Sequence, residues 1–127
     1  MLRRLTAALL IAPVVLALAG GPVRAQPPAP YDSNLQRLAE IMGALHYLRG
    51  LCGANDGQKW RTEVQALIEA EAPTGERRTR MIASFNRGYR GFQQSYRTCT
   101  PAANIVIRRY LEEGSRIARE VTARYGN

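Results

Sequence analysis

Residues 31–57 read YDSNLQRLAEIMGALHYLRGLCGANDG, a long helix followed by a tight turn. Apolar residues recur on one helical stripe: Leu38, Ile41, Met42, Leu45, Leu48 and Cys52. A second stripe beside it holds small residues and one imidazole: Ala39, Gly43, His46 and Gly50. A helix that is apolar around more than half of its circumference is typical of a central position, and its small residues allow another backbone to approach closely. We predict that it begins with Asp32 or Ser33 as N-cap and ends near Leu51.

Three more amphipathic helices follow, at about 57–72, 76–98 and 101–125. The dipeptide Thr100-Pro101 predicts the start of the last one, with threonine as N-cap and proline at the first helical position. No stretch alternates apolar and polar residues long enough to indicate a strand. The sequence therefore predicts an all-α fold, in which residues 31–127 form a single small four-helix bundle with one disulfide.

The amino terminus has the pattern of a secretory signal peptide over residues 1–25. A basic start precedes the apolar run 5–19, which is too short for a comfortable membrane span, and the small residues Val23 and Ala25 fit a cleavage site after Ala25. Residues 26–30 form a Pro-rich leader. We expect a chain that is exported to the periplasm through a cleaved signal peptide.

The two cysteines, Cys52 and Cys99, are the only ones in the chain. An exported protein meets an oxidising compartment, where such a pair forms an intrachain disulfide. Two unpaired thiols or an intermolecular bridge are the alternatives at this point.

The charge of the chain is strongly positive, with a formal net charge of +8. Without the three arginines of residues 1–25, 15 basic and 10 acidic residues remain, and Lys59 is the only lysine. Such a surface suits an envelope protein of opposite charge, an anionic glycan or an acidic lipid. The predicted compartment disfavours nucleic acid, and a solvated face that keeps the protein soluble is the alternative. The oligomeric state cannot be predicted.

The third predicted helix carries four arginines that we assign to an anion-facing surface: Arg80, Arg87, Arg90 and Arg97. No acidic residue follows Glu76 on that helix, whereas the fourth helix mixes both signs at helical spacing. Pairs of opposite charge at that spacing support a solvated helix face. The third helix is therefore the better candidate for a functional surface. The alternative is that its arginines only keep the protein soluble.

Two charged residues, Arg49 and Glu71, fall on inward-facing sides of adjacent helices when each helix is drawn as a wheel. A buried charge needs a partner, so we predict that they form an internal ion pair that fixes helix register. A binding or proton-handling site is the alternative interpretation.

Catalytic, metal and cofactor motifs are absent from the sequence. His46 is the only histidine, whereas zinc needs several ligands at fixed spacing, so we expect no metal and read His46 as a packed or edge residue. The chain has no haem-attachment motif, P-loop or nucleophile elbow, and we expect no cofactor and assign no catalytic residue. Paired carboxylates for glycoside hydrolysis are the remaining enzymatic option, with four candidates: Glu40, Glu63, Glu69 and Glu71.

Several segments carry a resemblance to a known family: 31–32, 35–41, 43–49, 51–53, 60–61, 85–90, Phe92, Tyr96 and 99–100. Over about 31–126 the chain resembles an uncharacterised family of small secreted alphaproteobacterial proteins, known as a domain of unknown function. The resemblance implies a periplasmic location in a Gram-negative cell and implies no activity. We therefore expect an exported helical protein that is a non-catalytic binding or accessory module of the cell envelope. The alternative is a small cell-envelope hydrolase that uses carboxylates.

Overall fold

The computed structural model describes residues 20–21 and 28–126, which form four α-helices and no strand. The helices are α1 (Asp32–Leu51), α2 (Gly57–Glu71), α3 (Gly75–Ser95) and α4 (Pro101–Tyr125). The predicted all-α four-helix fold is therefore confirmed. None of these helices is long and apolar enough to cross a membrane. The predicted signal peptide, apart from Gly20 and Gly21, and the first two residues of the predicted leader lie outside the described residues.

The central element is α1, as its two apolar stripes indicate. One side of α1 packs against α2 and α3 in a cluster of buried side chains: Leu35, Ala39, Val64, Ile68, Ala72 and Met81. Another side packs mainly against α4 in a second cluster: Ile41, Leu45, Leu48, Ala103, Ile107 and Ile117. In the described chain, no Cα atom of α4 lies within 8 Å of one in α2 or α3. The three outer helices are therefore held together chiefly through α1.

The crossing of α1 over α3 is unusually close, because each helix has a glycine at the contact. A Cβ added at Gly43 would overlap the carbonyl oxygen of Phe85 and would lie 3.1 Å from the backbone nitrogen of Tyr89. A Cβ at Gly88 would overlap the carbonyl oxygen of Glu40 in the same way. The two backbones touch directly here. Gly43, in the small-residue stripe of α1, therefore allows the close backbone approach that the sequence predicts.

The helix ends follow the sequence signals in part. Thr100 caps α4 as predicted, with its hydroxyl oxygen accepting a hydrogen bond from the Ala103 amide at 3.1 Å. Asp32, in contrast, is the first residue of α1 and has no capping role. Its carboxylate instead accepts hydrogen bonds from the Ala29 amide, at 2.9 Å, and from the Arg77 guanidinium, at 2.7 Å. Burial raises the pKa of Asp32, but these hydrogen bonds outweigh it, so the pKa lies below its usual value.

The third helix ends at Ser95, two to three residues earlier than the apolar pattern predicts. Tyr96 is extended, and its carbonyl oxygen accepts a hydrogen bond from the Tyr47 hydroxyl of α1. That bond fixes the backbone of the link to α4. Arg97 consequently lies outside the helix.

Cys52 and Cys99 form the predicted disulfide, which joins the end of α1 to the link before α4. The Cα atoms of the two cysteines are 4.9 Å apart and 47 residues apart in the chain. Cys52 is half-buried and Cys99 is exposed. The bridge therefore holds the start of α4 against the central helix.

The predicted ion pair between Arg49 and Glu71 is wrong. The Arg49 Nε donates a hydrogen bond of 2.6 Å to the Asp56 carboxylate, at the start of α2. A helical wheel gives the angle of a residue about the axis but not its position along it. Because α1 and α2 are antiparallel, Arg49 at the end of α1 faces the start of α2. Glu71 lies at the other end of α2, about 22 Å away along that helix.

The contact of α1 with α4 includes a two-pronged ion pair. The Arg37 Nε and Nη2 atoms donate to the two carboxylate oxygens of Glu113 at 2.7 and 3.0 Å. This guanidinium also lies 5.1 Å from the ring centre of Tyr110, on α4. The hydrogen bonds from Arg37 lower the pKa of Glu113, although burial acts in the opposite direction. Arg37 and Glu113 thus form an ion pair that holds the middle of α4 against α1.

Candidate functional site

A groove of about 640 Å³ lies between α2 and α3, with one residue of α1 at its edge. We call it the α2–α3 groove and define it by its lining residues: His46, Arg61, Val64, Gln65, Ile68, Glu69, Arg78, Ile82, Phe85, Asn86 and Tyr89. It exists because α2 and α3 both pack on α1 while they contact each other only sparsely. Its volume lies in the usual range of small-molecule sites, roughly 300–1,000 Å³.

The lining of the groove combines apolar and polar groups. Val64 and Ile68 are buried, and Phe85 is half-buried, so they form an apolar floor. Ile82 is exposed over 41% of its surface, as is Ile105 on α4, and it adds an apolar side chain to the α3 wall of the groove. The amides of Gln65 and Asn86 stand on facing helices. Such a lining suits a ligand with an apolar body and polar substituents.

The two ends of the groove differ in charge. At one end, the Arg78 Nη1 donates to the Glu69 carboxylate at 3.0 Å, so the two charges compensate each other. At the other end, Arg61 has no acidic partner among residues 20–21 and 28–126. Arg61 and Glu69 are eight positions apart on α2, about 12 Å along the helix. The groove therefore has one neutralised end and one positive end.

His46 lies at the positive end and is held there by the first turn of α2. Its Nδ1 atom is hydrogen-bonded to the carbonyl oxygen of Gly57. Since a carbonyl oxygen only accepts, Nδ1 carries the proton and Nε2 is the nitrogen left for other contacts. The imidazole ring centre lies 5.5 Å from that of Tyr89 and 5.8 Å from that of Phe85. Packing and this hydrogen bond together fix the ring.

Residues 30–125 match the family described as protein of unknown function (DUF2385). The chain belongs to the DUF2385 family. The matched range contains all four helices, the disulfide and the groove. Searches of the curated proteins and of the solved structures gave no match.

The predicted anion-facing surface of the DUF2385 domain is exposed at all four positions, but its arginines have different surroundings. Arg80 pairs with Glu76 at 3.2 Å, and the Arg87 Nε lies 3.6 Å from a carboxylate oxygen of Glu40. Arg90 and Arg97 have no acidic partner in the described part of the chain, and none of the four lines the α2–α3 groove. Two of the four charges are thus compensated, and anion binding there stays a prediction.

The arginines of α4 are less compensated than the sequence indicates. Of the opposite charges at helical spacing, Glu113 binds Arg37 instead of Arg109, which is four residues before it. Glu120 pairs with Arg116, at 3.3 Å, instead of with Arg124. In the described residues Arg108, Arg109 and Arg119 form no salt bridge. Helical spacing within α4 could not predict that Glu113 binds Arg37, because Arg37 lies 76 residues from Glu113 in the chain.

The carboxylates that the sequence offers for hydrolysis do not meet in one place. Only Glu69 lines the α2–α3 groove, where it is bound to Arg78. Glu40 pairs with Arg37 and Arg87 on the other side of α3. Across residues 20–21 and 28–126, no cluster of three histidine, cysteine or acidic side chains is placed to hold a metal ion.

Proposed function

We propose that this DUF2385 protein is an exported, non-catalytic binding module of the cell envelope and that the α2–α3 groove is its ligand site. The observation that carries the proposal is the mixed lining of the groove, with an apolar floor between facing amide and guanidinium groups. The shape of the groove is also well defined, because the close crossing of α1 and α3 at Gly43 and Gly88 fixes the position of its α3 wall.

Export is supported by two independent features of the chain. Residues 1–25 have a basic start, an apolar run and small residues before the expected cleavage point. The disulfide between Cys52 and Cys99 belongs to the chemistry of an oxidising compartment. A partly exposed bridge of this kind would be reduced in a typical cytosol.

Cleavage gives a direct test of export. We expect the protein recovered from the periplasm to begin at or next to Gln26, as measured by intact mass. Ala25→Leu places a large residue at the cleavage point, so the precursor should accumulate while the same variant expressed without residues 1–25 folds normally. A periplasmic protein that retains residues 1–25 would argue for an uncleaved anchor.

Filling the groove tests the ligand site. Incubation with an extract of envelope lipids and cell-wall fragments should raise the melting temperature by about 10 °C if the ligand is present at 100 times its Kd, where it contributes about 2.7 kcal/mol. Asn86→Trp places an indole in the groove and should abolish the shift. Ala83→Trp, on the same helix at an exposed position that does not line the groove, is the matched control. An extract that leaves the wild-type melting temperature unchanged, or shifts Asn86→Trp equally, would contradict the proposal.

A further inference from the structure

We infer that the ligand of the α2–α3 groove is a small amphipathic carboxylate, with its apolar body on the groove floor and its carboxylate at the Arg61 end. This inference rests on the proposed function, since it specifies the ligand of the same site. It follows from the difference in charge between the two ends of the groove and from the apolar floor between them.

The charges of the groove favour an anion at one end only. Arg78 is occupied by Glu69 at 3.0 Å and lies 3.5 Å from the carbonyl oxygen of Pro73, so its guanidinium is already engaged. Arg61 is exposed and has no acidic partner within residues 20–21 and 28–126. A guanidinium binds a carboxylate through two parallel hydrogen bonds, which is stronger and more directional than a neutral contact. A ligand anion would supply the partner that the fold does not.

His46 adds a second polar group at the same end. Because its Nδ1 atom donates to Gly57, the Nε2 atom is the one that can meet a ligand. The imidazole packs near Phe85 and Tyr89, so it cannot swing away freely. In this tautomer Nε2 is an acceptor, so it can take a hydrogen bond from a hydroxyl or amide N–H of the ligand beside the carboxylate, while Arg61 binds the carboxylate itself.

The apolar floor determines the other half of the ligand. Val64, Ile68 and Phe85 lie between the two ends, and the exposed Ile82 extends the apolar surface on the α3 wall. Covering Ile82 and this floor would remove apolar area from water, which is the main source of affinity for such a ligand. The compensated Arg78–Glu69 pair closes the far end without favouring either sign of charge.

The experiment uses the neutral dye N-phenyl-1-naphthylamine as a reporter of the groove and displaces it with pairs of competitors. Dodecanoate is compared with dodecanol, and N-acetylmuramic acid with N-acetylglucosamine, so each pair differs in a carboxylate. Dodecanoate should displace the dye about tenfold better than dodecanol, the lower bound for a charge-assisted hydrogen bond. A preference for the acid in the sugar pair alone would contradict the apolar body of the inferred ligand.

Arg61→Gln should remove the preference for the acid while the dye still binds. Arg90→Gln, an exposed arginine on α3 without an acidic partner and outside the groove, should keep it. If neither acid displaces the dye better than its neutral counterpart, or if Arg61→Gln keeps the preference, the inference is wrong, although the groove can still be a ligand site. If the dye does not bind the wild type, or binds Asn86→Trp equally well, the proposed function fails as well.

Discussion

Replacing Gly43 by alanine is expected to reduce the free energy of unfolding by about 3 kcal/mol, the upper range for an overpacked core. The new methyl group would overlap the carbonyl oxygen of Phe85 and would lie 2.8 Å from its carbonyl carbon. These are backbone atoms of a regular helix, so no side-chain rotation relieves the clash. The α1–α3 crossing must widen, and the contacts around it are lost together.

Gly88→Ala should have a similar cost, because its methyl group would meet the backbone of Glu40 and Ala44 at the same crossing. The double variant should lose clearly less than the sum of the single losses, since the first substitution already separates the helices. Urea unfolding followed by far-ultraviolet circular dichroism gives all three values.

Two other helical glycines provide matched controls. Gly50 on α1 and Gly91 on α3 are exposed, and an added Cβ would meet no atom within 4 Å at either position. Gly50→Ala and Gly91→Ala should therefore leave stability unchanged or raise it by up to about 1 kcal/mol through helix propensity. Equal effects of alanine at Gly43 and Gly91 would show that the crossing is not as close as described.

Removing the disulfide is expected to cost about 4 kcal/mol on the chain-entropy model for a closed loop of this length. Cys52 and Cys99 are 47 residues apart in the chain, and their bridge restricts α2, α3 and their links in the unfolded state. The variant Cys52→Ala with Cys99→Ala should unfold at a correspondingly lower urea concentration.

Reduction supplies the control for the cysteine variant. Reduced wild type should match the double variant in stability, and the variant itself should not respond to the reductant. A double variant as stable as the oxidised wild type would mean that the disulfide contributes nothing to stability and that packing on α1 alone holds the fold.

Much of the fold could be predicted from the sequence because helical periodicity is local. The apolar stripes of residues 35–52 and the Thr100-Pro101 signal placed α1 and the start of α4 correctly. The partner of Arg49 could not be predicted in this way, since it depends on how α1 and α2 are positioned relative to each other along their axes. The early end of α3 likewise depends on Tyr47, a residue of another helix.

The candidate site was harder to predict than the fold. Arg61, Gln65 and Asn86 look like ordinary solvated residues in the sequence, because each lies at the border of an amphipathic helix. They become a site only because two helices rest on a third and leave space between them. Ile82 does not mark this wall by its exposure alone, because Ile105 on α4 is equally exposed and lies outside the groove.

The position of α4 keeps its outer surface apart from the α2–α3 groove. Every residue that lines the groove belongs to α1, α2 or α3, whereas α4 packs on a different side of α1. The outer surface of α4 carries arginines that form no salt bridge within the described residues. Substitutions on this surface are separated from the groove by the central helix α1. The surface charge of α4 can thus vary while the lining of the groove stays the same.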